Sequence, residues 1–110
     1  MMSDAILEGS KNTKQAFRDM GNSSECCALG AAYLIRYGTA NPGGRVVKDI
    51  HVDCPECGCS CKVMDLEAEL EVIGTISHLN DTHRWSREDI AEWLRSSGND
   101  YEIGDPDASR

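Results

Sequence analysis

Aromatic side chains are scarce in this chain: one Phe, two Trp and three Tyr among 110 residues. Aromatics carry a large share of the apolar area in most cores. Their scarcity therefore implies a small core, in which a metal ion would be a useful staple. No stretch approaches the roughly eighteen consecutive apolar residues of a membrane-spanning helix. Met1 to Glu8 contain neither a basic leader nor a long apolar run, so the expectation is a chain without a secretory signal, held in a reducing cytoplasm.

A basic surplus is also missing. The net charge is −8, and it is unevenly placed. Residues 1–50 hold six Lys/Arg against five Asp/Glu, whereas residues 51–110 hold five against fourteen. Binding to a phosphate backbone requires clustered cations that displace counterions, so the acidic half argues against nucleic acid. It suits a basic protein partner, or simple solubility.

What the chain does have is cysteine, six in all, with four inside Cys54-Pro55-Glu56-Cys57-Gly58-Cys59-Ser60-Cys61. C-P-x-C-G has the form of a metal knuckle, in which a tight turn aims backbone N–H groups at thiolate sulfurs and glycine supplies the conformational freedom. Paired soft thiolates favour Zn²⁺ over oxygen-seeking cations. In a reducing compartment such clustered thiols are metal ligands rather than a disulfide framework. The assignment made from sequence is a zinc site built on Cys54, Cys57, Cys59 and Cys61. Four ligands so close together are crowded around sulfurs that must sit about 2.3 Å from the ion. Two other completions therefore stay open. His78 and His83 have the H-x-x-x-x-H spacing of the histidine half of a two-cysteine, two-histidine site. Cys26, Cys27 or His51 could also reach in from elsewhere. The simpler alternative makes Cys26 and Cys27 small core residues and places the two histidines at a helix C-terminus.

Catalytic patterns fit less well. A zinc deaminase needs H-x-E ahead of P-C-x-x-C, whereas here His51 is followed by Val52 and Asp53, and Pro55 lies inside the cysteine pair. Thiol exchange through C-x-x-C normally uses a helix N-terminus, but Gly58-Cys59-Ser60-Cys61 follows this one. Nothing local supports a cysteine–histidine nucleophile.

Caps and periodicity organise the rest. Ser10 predicts a helix over 11–20 with Ala16, Phe17 and Met20 on one side and Gly21 as its stop. Ser23 or Ser24 predicts a second helix ending near Gly38, with Cys26, Leu29, Gly30, Tyr33, Leu34 and Tyr37 recurring at three- and four-residue spacing. Gly30 within that stripe suggests close approach of another backbone. Asn41-Pro42-Gly43-Gly44 is a turn. Residues 45–53 read as a strand entering the knuckle, with Cys59 to Met64 as its hairpin return. Residues 66–80 read as a helix from their Glu, Ala and Leu content. The last helix has the clearest signals: Ser86 as N-cap, Glu88 and Asp89 in the first turn, a Trp85–Ile90 staple, a buried face of Ile90, Ala91, Trp93 and Leu94, and Gly98 as the stop. Its I-A-x-x-L pattern suits the first half of a helix-turn-helix, but the acidic, turn-rich continuation holds no recognition helix. Residues after Tyr101 read as a frayed acidic tail.

Cys26-Cys27-Ala28-Leu29-Gly30-Ala31-Ala32, taken together with His78-Leu79-Asn80-Asp81 and Trp85-Ser86-Arg87-Glu88-Asp89-Ile90-Ala91-Glu92-Trp93-Leu94, resembles small uncharacterised proteins of bacteria and their phages. Those carry a C-A-L-G-A helix and a later N-D turn entering a terminal I-A-x-W-L helix. The similarity covers about a third of the chain, and the cysteine-rich middle resembles an insertion into that pattern or a feature of a subset. The resemblance implies a compact, mainly helical cytoplasmic domain and no particular activity. The resulting expectation is one α+β domain over 1–110: a helical core over about 10–38 and 66–98, a zinc-knuckle hairpin over 45–64 and an acidic tail over 99–110. The expected role is a zinc-stabilised, non-catalytic binding or regulatory module acting through a protein partner. The alternatives are a nucleic-acid-associated regulator using the zinc hairpin and a thiol or metal enzyme.

Overall fold

Residues 1–17, 21–42, 49–50, 52–58 and 74–103 are described by the computed structural model. Their elements are α1 (Met2–Ser10), β1 (Lys14–Gln15), β2 (Glu25–Cys26), α2 (Ala28–Tyr37), α3 (Thr75–Asp81) and α4 (Arg87–Ser97). The short strands pair in parallel, Lys14 with Glu25 and Gln15 with Cys26. Among the described residues, four helices with one small sheet make a small α+β fold. None of the described helices is long and apolar enough to cross a membrane.

The core is shared by all four described helices, with Tyr101 and Ile103 packed against it. Met2 and Ile6 of α1, Leu29 and Tyr33 of α2, Ile76 and Leu79 of α3, and Ile90 and Leu94 of α4 are all buried in one cluster. α1 and α2 approach closely because Gly9 has no side chain. A Cβ built there would lie 2.1 Å from the Ala31 carbonyl oxygen. A close backbone approach of the kind expected along α2 is thus found at Gly9.

Several expectations need correction. No helix begins at Lys11. Ser10 is instead the last residue of α1, its hydroxyl donating to the Leu7 carbonyl. The Lys14 and Ala16 amides are taken by the Ser24 and Cys26 carbonyls, which makes this segment a strand. α2 starts at Ala28 rather than at the serines, and its N-cap is the Cys27 sulfur, which accepts from the Gly30 amide at 3.3 Å. Gly38 does end α2, in the left-handed region at φ 82°. α3 cannot run unbroken from Leu66, because Gly74 before it is extended, at ψ 175°; residues 66–73 lie outside the described residues. The chain beyond Tyr101 is not wholly a tail, since Tyr101 and Ile103 pack against the core. The expected strand over 45–53 and its return over 59–64 fall largely outside the described residues; of those described, Asp53 forms a β-bridge, while Asp49, Ile50 and Val52 belong to no strand.

α4 follows its signals closely. Ser86 Oγ accepts from the Asp89 amide at 3.0 Å, and Gly98 ends the helix at φ 78°. Ile90, Ala91 and Leu94 are buried, while Trp93 is half-buried. Arg87, 5% exposed, uses its guanidinium to bind the Thr13 carbonyl (2.7 Å), the Thr13 hydroxyl (2.7 Å) and the Cys26 carbonyl (3.2 Å). This ties α4 to both strands, and burial pulls the Arg87 pKa below its ordinary value.

Asn80 is not a turn residue. It is fully buried in the last turn of α3. Its amide nitrogen donates to the Ala16 carbonyl (2.9 Å), and its oxygen accepts from the Ala28 amide (3.2 Å) and Gln15 Nε2 (2.9 Å).

Substituting Gly9→Ala forces α1 and α2 apart and should lower the unfolding free energy by about 1–3 kcal/mol, the usual cost of overpacking. Denaturant melts of the two proteins check this, and an unchanged midpoint would refute the close packing.

Candidate metal centre

The site begins with a turn. Cys54 to Gly58 closes on itself through the Gly58 amide and the Cys54 carbonyl (2.8 Å), and Gly58 takes φ 75°. Within it the Glu56 and Cys57 amides point at Cys54 Sγ, at 3.3 and 3.5 Å. Such N–H···S contacts orient the sulfur in the manner of a metal knuckle. Cys54 is buried at the edge of the core, whereas Cys57 is exposed.

The other half of the site comes from α3. A helix N-terminus leaves amides unsatisfied, and Gly74, the residue at the N-cap, has no side chain to meet them. Asp49 does so from a distance. Its carboxylate accepts from the Ile76 and Ser77 amides and the Ser77 hydroxyl, all at 2.9 Å. Gly74 leaves the room: a Cβ there would lie 2.2 Å from Asp49 Cγ. Thr75 adds a second tie, donating to the Val52 carbonyl (2.8 Å) and accepting from the Val52 amide (3.0 Å). Burial raises the Asp49 pKa, and its hydrogen bonds oppose that shift.

With Asp49 and Val52 fixed on the start of α3, the knuckle faces His78, one turn along the helix. His83 joins from just past the helix end. Thr82 caps α3, and Arg84 then takes the left-handed conformation at φ 56°, an uncommon geometry for a non-glycine residue. The rings of His78 and His83 meet edge to face, with centroids 4.7 Å apart.

Among the described residues, one ligand atom from each of Cys54, Cys57, His78 and His83 lies within 4.8 Å of all the others. A tetrahedral zinc site has edges of about 3.4 Å between nitrogens and about 3.8 Å between sulfurs. The sulfur–nitrogen edge is about 3.6 Å on the same bond lengths, and Cys57 Sγ stands 3.6 Å from His78 Nε2. His83 Nε2 is buried with no hydrogen-bond partner, an arrangement that a metal ion would satisfy. Burial, and secondarily His83, lower the His78 pKa and so favour the neutral imidazole that coordinates metal. Around this set, Glu56 accepts from Trp85 Nε1 (3.1 Å), and its second oxygen lies 3.9 Å from His83 Nδ1. A carboxylate on the far side of a ligating imidazole is a common outer-shell arrangement.

Of the four cysteines assigned from sequence, Cys54 and Cys57 are in this cluster, and Cys59 and Cys61 lie outside the described residues, as does His51. Cys26 and Cys27 are buried and are not among these four residues. Burial pushes the Cys27 thiol up to about 11, and burial also raises that of Cys26, partly offset by Arg87. Asp49 and Glu56 carried no sequence signal for their roles. Compared with known proteins, the chain matches no family model, no curated protein and no solved structure.

Asp49→Asn should weaken the seating of the knuckle on α3 and cost about 1–2 kcal/mol, the worth of a helix cap. Gly74→Ala should cost a similar amount by displacing the same carboxylate, so the double variant should lose less than the sum. Additive losses in denaturant unfolding would show that the two residues act separately. Alkylation by iodoacetamide near neutral pH, mapped by mass spectrometry, should reach exposed Cys57 in chelator-treated protein. Cys27, largely protonated and buried, should react only after unfolding.

Proposed function

We propose that this chain is a zinc-stabilised, non-catalytic binding or regulatory module, of the bacterial or phage type its sequence resembles, acting through a protein partner. The observation that carries the reading is the convergence of two thiols and two imidazoles, one of them with an orphaned buried nitrogen. Two sulfur and two nitrogen donors suit Zn²⁺. Four protein ligands complete a tetrahedral shell and leave no position for water or substrate, which marks structural rather than catalytic zinc. The acidic balance of residues 51–110 favours a basic protein over nucleic acid as the partner.

Native mass spectrometry of protein purified without chelator should find one zinc per chain, lost on adding a strong chelator. Free zinc at about a thousand times its dissociation constant should add about 4 kcal/mol of stability. Cys57→Ser should abolish most of that gain. Affinity should also fall as pH falls, because protons compete for both thiolates and imidazoles. A metal-free protein whose melting temperature ignores added zinc would overturn the reading.

A further inference from the structure

Beside the metal centre, the outer face of α4 forms a groove of about 270 Å³ lined by Trp85, Asp89, Glu92, Trp93 and Ser96. These are the chain's two tryptophans, separated by one carboxylate a helical turn after the first and another just before the second. Both indoles are half-buried and pack against the core, so the walls of the groove are fixed. The Trp85 N–H is further held by Glu56. Asp89 and Glu92 are exposed, and neither has an ion-pair partner among the described residues.

An indole face attracts a cation through its quadrupole, and carboxylates beside it add direct charge complementarity. A guanidinium suits both at once, because its plane stacks on an aromatic ring while its N–H fork bonds carboxylate oxygens. We propose that this groove binds an arginine side chain presented by a basic segment of a partner protein. The inference rests on the binding-module reading for the choice of a protein ligand. Asp89, Glu92, Trp93 and Ser96 of the groove belong to α4, which carries its own caps, and Trp85 immediately precedes its N-cap. Glu56 also links the two sites, since it touches Trp85 and stands beside His83.

The two tryptophans provide a direct test. A tetra-arginine amide peptide is titrated into ¹⁵N-labelled, zinc-loaded protein while the two indole N–H resonances are followed. Both resonances should shift saturably at a 1:1 ratio. Asp89→Asn combined with Glu92→Gln should weaken binding about tenfold or more. The control Glu8→Gln with Glu25→Gln, which removes the same charge elsewhere, should weaken it less than twofold. Unshifted indole resonances in folded protein would overturn the proposal, as would equal weakening in the two double variants. Arginine amide binding as tightly as the peptide would overturn the assignment to a protein segment. Metal content is read on the same samples by native mass spectrometry. A folded, metal-free protein that still binds the peptide would refute the zinc reading and leave the groove standing.

Discussion

The carboxylate of Asp49 on the N-terminus of α3 is the joint on which the metal centre depends. The knuckle and the histidine pair lie on separate stretches of chain, and neither fixes the other's position. A carboxylate accepting from two backbone amides and a hydroxyl fixes both distance and direction. It also opposes the partial positive charge at the helix start. Thr75 then exchanges two hydrogen bonds with Val52, which limits rotation about that joint. Two residues later the knuckle begins with its first cysteine against the core.

The same device occurs at α1, where Met1 offers no side-chain cap and the Ser3 amide donates to Asp100 Oδ1 at 2.9 Å. This explains which helices were legible in the sequence. α4 carries its own instructions in Ser86, Glu88, Asp89 and Gly98, all within thirteen residues, and the structure follows them. α1 and the start of α3 are capped by aspartates 97 and 28 residues away, so a local reading has no means of placing them. Ser10 misled for a related reason. A serine hydroxyl serves equally as an acceptor at a helix start or as a donor to a carbonyl at a helix end, and here it does the latter. Cys27 did not look like a cap because a thiol is a weak acceptor, yet with the Gly30 amide buried beside it, it is the available one.

The candidate site was legible in halves. Cys54, Pro55, Glu56, Cys57 and Gly58 specify a turn from nearest neighbours alone, and that turn forms with its amides on Cys54. His78 and His83 could be recognised by spacing, but five residues can follow many paths. Their convergence requires α3 to stop at Asp81 and Arg84 to take a conformation that arginine seldom adopts. Neither event has a strong local signal. Glu56 was harder still, because its contact with Trp85 exists only after the knuckle has docked.

A metal ion here would act on a domain that already has a core. Of the four candidate ligands, only Cys54 belongs to the main hydrophobic cluster, which is otherwise built by α1, α2, α3 and α4. A small zinc finger differs in that the ion supplies the folding free energy outright. In this chain an ion would instead join Cys57 to His78 across the sequence between them, a closure whose entropic cost grows only slowly with length. Its influence should therefore be felt nearest the ligands, in the knuckle, the end of α3 and the turn through Arg84. That turn leads directly to Trp85. The local character of the ion's effect is thus what would let a stabilising metal also set the shape of the surface beside it.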